Sequence, residues 1–226
     1  MAKRIFKKKE RTVKVTAELL CREYERRQTE IKKRLEEFRE VYHRGDQSIF
    51  RELCFCILAA NSSAEMGMRT VEALGELLFH GDLSSLQQRL SKGFRYWRVR
   101  PAYIIHTRDY LQRDFNFRLR AVLDAFPDLE SRRDFLALNK DIKGLSFKEA
   151  SHFLRNIGYR GYAIIDKHIL RCLRELGVIR KALPPKGRAG YLKIEKKMRQ
   201  FSMDIGINLD ELDLLLWSLK TGKILK

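Results

Sequence analysis

Proline is scarce in this chain, four residues in 226, and glycine is modest at thirteen, which excludes collagen-like and Pro-rich repeat classes. Cysteine is as sparse. The four sit at 21, 54, 56 and 172; Cys54 and Cys56 flank a single residue, too close for an ordinary disulfide, and no C-x-x-C occurs. They read as reduced core thiols of a cytosolic protein, and the spacing argues against an iron–sulfur or structural zinc site. No apolar run approaches the roughly 18 residues of a membrane span, so no membrane partner is expected. The opening MAKRIFKKKERTVK is basic but has no apolar stretch and cleavage site behind it, so it does not read as a secretory signal.

Acidic residues are in deficit. Asp and Glu number 29 against 47 Lys and Arg, a net charge of +18, which suggests a polyanionic partner. Disorder is excluded by 13 Phe, 8 Tyr and 2 Trp and by 44% apolar residues. The length fits one domain, or one domain split into two lobes sharing a cleft. The basic charge falls in three clusters: residues 1–14 (net +6), 92–120 (net +6) and 180–200 (net +7). Phe94, Tyr96, Trp97, Tyr103 and Tyr110 interleave with the second, and Lys186 and Arg188 belong to the third. Any one cluster is equally well a solvated helix face. Three together favour a phosphate-binding surface.

Helical periodicity dominates. Leu19, Leu20, Tyr24, Ile31, Leu35, Phe38, Val41 and Tyr42 recur at spacings of three and four, giving one or two amphipathic helices over 15–43. A buried central helix is expected over Ile49–Ala60, interrupted by Asn61-Ser62-Ser63, with Ser63 capping a helix over Ala64–Leu78. Further helices are expected at 83–92, 102–111, 120–126, 131–142, 147–157, 166–176, 191–203 and 209–218, with a loop through Pro184-Pro185 and Gly187–Gly190. The fold class is all-α, with about ten helices, no internal repeat and no hairpin of strands.

The segment DIKGLSFKEASHFLRNIG, Asp141 to Gly158, carries the chemistry. One helix ends, Gly144-Leu145-Ser146 turns, and a second helix begins. Gly144 permits the tight turn, and the turn with the helix start offers N–H groups to a DNA phosphate. An ordinary connection in a helical bundle has the same pattern. Lys148 lies in the first turn, where the helix dipole opposes a cation. A nucleophilic amine has to be uncharged, so that place suits a nucleophile, although a phosphate-gripping lysine fits it too. Eighteen residues on, Asp166 follows three apolar residues in AIIDKH. It reads as a plain N-cap, or as a carboxylate able to stabilise a developing cation or take a proton from Lys148.

On these residues the chain resembles the helix-hairpin-helix DNA glycosylases, within the branch of compact 8-oxoguanine DNA glycosylase/AP lyases of archaea and some bacteria, the second Ogg group. The matching strings are FCILAANSSAEMG from Phe55, GLSFKEASHFLRNIG from Gly144, AIIDKHILR from Ala163 and the C-terminal LWSLKTGKILK from Leu216. The resemblance spans about residue 30 to the end and leaves out the basic first 14 residues. It implies base-excision repair of double-stranded DNA containing oxidised guanine. Lys148 would attack C1′ and form a Schiff base, Asp166 would activate it and stabilise the sugar cation, and β-elimination would nick the strand. Asn61 would lie near the gap left by the flipped base. Trp217 and Lys226 would help recognise the oxidised purine, although Trp217 equally reads as core. The resemblance also implies catalysis with no metal or cofactor, a monomer, and a cytoplasmic, nucleoid-associated protein of a prokaryote or archaeon.

The expected architecture is a two-lobed helical fold with the helix-hairpin-helix at the interlobe cleft. Residues 1–14 form a basic extension. Residues about 45–157 form the middle lobe, ending in the hairpin at 131–157, and residues 15–44 with 158–226 form the second lobe. The DNA-contacting residues would be Asn61, Gly144, Ser146, Lys186 and Arg188. Two rivals remain: a non-catalytic helix-hairpin-helix DNA-binding module, which has no need of Lys148 paired with Asp166, and a glycosylase for another damaged base.

Overall fold

In the computed structural model residues 14–225 are described; residues 1–13, most of the basic extension, and Lys226 lie outside them. Twelve helices and no strand form among the described residues. Helix α1 (Ala17–His43) is a single helix, started by Thr16, whose hydroxyl accepts the Leu19 N–H at 3.2 Å. It buries one stripe, Leu20, Ile31, Leu35 and Phe38. Helix α2 (Asp46–Ala59) is buried on nearly every side from Ile49 to Leu58. There follow α3 (Ala64–Leu74), α4 (Leu77–His80), α5 (Leu83–Leu90), α6 (Arg100–Phe115), α7 (Leu119–Asp124), α8 (Leu129–Leu138), α9 (Phe147–Asn156), α10 (Lys167–Glu175), α11 (Gly187–Asp204) and α12 (Leu209–Thr221).

Several boundaries differ from those expected. The helix begun by Ser63 stops at Gly75, whose φ of +50° leaves the helical region, and a separate turn of helix follows. The helix expected over 131–142 starts at Leu129, where Asp128 caps it by accepting the Ser131 N–H at 2.8 Å, and ends at Leu138. There Asn139 leaves helical geometry and its Oδ1 accepts the Asp141 N–H at 2.9 Å, so the hairpin connection is 139–146 rather than three residues. Gly187–Gly190 are the first turn of α11, not loop. That turn is pinned to α8, where Arg188 binds Glu130 at 2.6 Å and Asp134 at 2.7 Å. Cys54, Cys56 and Cys172 are buried thiols, but Cys21, on the outer face of α1, is exposed.

The buried apolar side chains fall into two clusters. One gathers residues of α2–α9 and runs on to Tyr162. The other joins α1, Ala163, Ile165 and helices α10–α12, so the two ends of the described chain share a core. Buried polar pairs tie the two together. Arg155 on α9 binds Asp213 on α12 at 2.6 Å, and Arg133 on α8 grips both carboxylate oxygens of Glu195 on α11 at 2.7 and 2.9 Å. Removing one partner of such a pair strands a buried charge, a loss of about 3–5 kcal/mol.

Candidate active site

The hairpin is shaped by close packing as well as by its glycine. Gly144 has φ +82°, and a Cβ there would stand 2.8 Å from the Tyr103 ring and 3.0 Å from Arg100 Nη1, so both conformation and space require glycine. Thr107 of α6 holds the turn by accepting the Lys143 N–H at 3.0 Å. Ser146 is the extended residue before α9, and Glu149 reaches back to it. Glu149 Oε2 accepts the Ser146 N–H at 3.2 Å and the Ser146 hydroxyl. The other oxygen, Oε1, lies 2.7 Å from Lys148 Nζ. Burial alone would raise the Glu149 carboxyl, but Lys148, Ser146 and the helix start together hold it below its ordinary value.

Asp166 is set by a different device. Residues 163–165 run without strand or helix partners, and side chains from α11 and α12 take each of their N–H groups. Glu195 accepts from Ala163 at 3.1 Å, Asp213 from Ile164 at 2.9 Å and Tyr191 from Ile165 at 3.1 Å. Asp166 then caps α10, its Oδ1 accepting from His168 at 2.7 Å and Ile169 at 2.8 Å. It is therefore a cap, and one carboxylate oxygen does all of the capping.

These two residues share a cavity of about 110 Å³ that Cys56, His152, Asp213, Trp217 and Leu225 also line. It adjoins an open cleft of about 1180 Å³, walled by Asn61, Arg95, Tyr96, Lys148, Asp166 and Trp217 among others. Acidic and basic groups meet around the cavity and the cleft. Burial raises the Asp213 carboxyl to about 7 against the pull of Arg155, and burial lowers His168 against the pull of Asp166. An amine, a free carboxylate oxygen and a half-buried indole around one pocket can attack a carbon, stabilise a cation beside it and stack on a planar ring.

The structure thus gathers Lys148, Asp166, Trp217 and Asn61 at one cleft. Asn61 is exposed with φ +56°, the left-handed geometry asparagine tolerates, and it turns the chain out of α2. Trp217 is half-buried and lines both cavities. Gly144 lies in the hairpin, with Ser146 exposed beside it. Lys186 is exposed at the start of α11, and neither it nor Arg188 lines the cavity or the cleft. Arg188 is also neutralised by its two carboxylates. Lys226 lies outside the described residues, but Ile224 is buried and Leu225 lines the cavity. Among the described residues, no cluster of three or more His, Cys, Asp or Glu stands ready to hold a metal ion, and no helix is long and apolar enough to cross a membrane.

Sequence reasoning missed Glu149, although Ser146-Phe147-Lys148-Glu149 has the capping-box spacing that signals it. It also missed Asp213, Tyr191 and Glu195, for which no local signal exists. Arg95 and Tyr96 stood within the second basic cluster but were not singled out for the cleft.

The profile of the Ogg-HhH family, 8-oxoguanine DNA glycosylase, matches residues 31–207. An 8-oxoguanine DNA glycosylase/AP lyase of Korarchaeum cryptofilum is 42% identical, over 87% of this chain and 90% of that protein. One of Methanocaldococcus jannaschii is 39% identical, over 87% and 91%. The crystal structure of the M. jannaschii 8-oxoguanine glycosylase/lyase in complex with a 15mer DNA containing 8-oxoguanine superposes with a TM-score of 0.83. It is 36% identical, and the match covers 92% of this chain and 100% of that one.

Proposed function

We propose, for a chain that belongs to the Ogg-HhH family of 8-oxoguanine DNA glycosylases, that it excises 8-oxoguanine from double-stranded DNA and nicks the strand at the resulting abasic site in base-excision repair. The observation that carries this reading is the meeting of Lys148 and Asp166 at one small cavity beside the hairpin, with Trp217 on its wall. A damaged base within a duplex is out of reach of any side chain, so it has to be flipped, at roughly a few kcal/mol. The open cleft of about 1180 Å³ lies beside the cavity, and the net charge of +18 offsets part of that cost through phosphate contacts.

Within that reading Lys148 attacks C1′ and ends as a Schiff base, and the free oxygen of Asp166 stabilises the cationic sugar. Trp217 stacks on the flipped base, and Lys226 contributes to its recognition. Asn61, the hairpin residues Gly144 and Ser146, and Lys186 attend to the DNA. The two apolar clusters act as two lobes either side of the cleft, and the protein works as a cytoplasmic, nucleoid-associated monomer. The chemistry assigned to this chain's residues calls for no metal or cofactor.

The test is a panel of duplexes carrying different damaged bases, with base release and strand cleavage assayed separately and borohydride trapping run on a preformed abasic site. Preferential release from 8-oxoguanine duplexes together with trapping is expected. Binding without trapping would leave a non-catalytic DNA-binding module. Trapping with release of another base would leave a glycosylase of different specificity.

A further inference from the structure

The carboxylate nearest to the amine of Lys148 is not Asp166 on the neighbouring segment but Glu149, the next residue on the same helix, with Oε1 at 2.7 Å from Nζ. Adjacent residues on a helix do not ordinarily face one another. They meet here because the other oxygen of Glu149 is drawn back to the Ser146 N–H and hydroxyl, which folds the carboxylate over the first turn. The Glu149 side chain is 11% exposed and that of Lys148 32% exposed, so the pair sits at the wall of the cavity rather than on open surface. Cys56 of α2, His152 and Arg155 of α9, Asp166 before α10 and Asp213 of α12 face the same space. Of the carboxylates among them, Asp166 spends one oxygen on its cap and Asp213 both on Arg155 and the Ile164 N–H.

We propose that Glu149 is a third catalytic residue, the group that takes the proton from Lys148 and returns it later in the reaction. The inference rests on Lys148 being the nucleophile. With the cleft open, water supports both charges and the ion pair persists. When a nucleotide fills the cavity and expels that water, the charged pair loses solvation and the neutral pair, amine and carboxylic acid, gains relative to it. On an abasic site Glu149 Oε1 accepts one proton from Nζ, and the freed lone pair forms a C–N bond to the C1′ aldehyde. The aldehyde oxygen takes the second amine proton and becomes a hydroxyl. The carboxylic acid then gives its proton to that hydroxyl, which leaves as water, and the C1′ iminium remains. Two of the three ammonium protons leave in the water and the iminium keeps the third, so no proton is exchanged with solvent, which suits a closed pocket.

The experiment is single-turnover borohydride trapping on a preformed abasic duplex, measured from pH 5 to 10, with the full-length protein and its Glu149→Gln and Glu149→Asp variants. Glutamine still offers an oxygen to the Ser146 N–H but cannot take a proton. Glu149→Gln is expected to slow trapping near pH 7 by about 10²-fold or more. The rate should recover as rising pH lets solvent take the proton, and the Kd for the abasic duplex should stay within about threefold. Glu149→Asp, which keeps the base but draws it back, should lose less. Faster trapping by Glu149→Gln at low pH would make Glu149 a brake on the amine and overturn the proposal. An unchanged pH profile with a lower Tm would reduce Glu149 to a cap and overturn it as well. Should Glu149→Gln not fold, the Glu149→Asp profile decides alone, a wild-type profile refuting the idea. Failure of the underlying reading is separate: it would show as wild-type trapping that persists in Lys148→Gln.

Discussion

The N–H of Ile164 donates to Asp213 Oδ1 at 2.9 Å, so the backbone two residues before Asp166 hangs from the last helix of the described chain. Glu195 and Tyr191 hold the peptides on either side. A buried segment without strand partners has to satisfy its N–H groups somehow, and here three side chains do what a neighbouring strand does elsewhere. The direction in which Asp166 leaves the core is therefore decided by α11 and α12.

If that suspension sets the reach of Asp166, loosening it harms chemistry more than affinity. Tyr191→Phe removes the hydroxyl that bridges Ile165 N–H and Ala163 O, at 3.1 and 2.7 Å, while keeping the ring. A buried N–H left unmatched costs about 1–3 kcal/mol. Single-turnover base release from an 8-oxoguanine duplex should fall several-fold beyond any change in Kd; equal changes in both would mean the hydroxyl serves only the fold.

Lys148→Gln should retain duplex binding, give no borohydride-trapped complex and lower base release by several orders of magnitude. Gel mobility of the complex beside denaturing gels of the trapped product separates the two effects. A trapped product in this variant would move the nucleophile to another residue.

Asp166→Asn removes the charge beside the cavity but leaves a side chain that caps helices well, so the fold should lose about 1 kcal/mol or less. Base release should drop far more than binding, since the charge acts on the cationic transition state. Thermal melting and single-turnover kinetics on one preparation check this, and unchanged kinetics would make Asp166 a cap alone.

Salt should weaken binding to undamaged duplex linearly on a log–log scale, by about −0.9 in slope for each phosphate neutralised. Arg188 already spends its charge on Glu130 and Asp134. Substituting Lys186, Arg188 and Lys193 together should therefore lose no more slope than substituting the two lysines. An extra unit of slope lost with Arg188 would mean that DNA displaces its carboxylates.

The Tyr24 hydroxyl on α1 donates to Glu211 of α12 at 2.5 Å, and that bond, with burial and the Glu211 charge, raises its pKa to about 12. The folded state keeps this proton where the unfolded chain, near pH 10, has lost it. The contribution is thus complete below pH 10 and disappears as pH rises through about 12. The Tm difference between the wild type and Tyr24→Phe should shrink over that window; a constant difference would show that the hydrogen bond is not coupled to folding.

Deleting Lys226 should lower cleavage of 8-oxoguanine much more than cleavage of a preformed abasic site, because only the former has a base to recognise. Ile224 is buried and Leu225 lines the cavity. Equal loss on both substrates would assign the tail to the fold, and no loss on either would mark it as a frayed end.

Much of this was open to a reader of the sequence alone. The helical period, the glycine of the hairpin, Lys148 in the first turn after it and Asp166 at the next helix start are local patterns, governed by residues within one or two turns of each other. So is the +18 charge, a matter of composition. Glu149 was legible too, through its spacing from Ser146, but the spacing reveals only the cap. That its second oxygen falls on Lys148 depends on where the side chain folds. Tertiary structure alone decided the rest: that Lys148 and Asp166 face one cavity, that Asp213, Glu195 and Tyr191 suspend residues 163–165, and that Arg188 is spent on α8. These pairings join residues from 18 positions apart, for Lys148 and Asp166, to 58, for Glu130 and Arg188. Such contacts form when helices dock and buried charges must find partners, and no local pattern encodes which partner that will be.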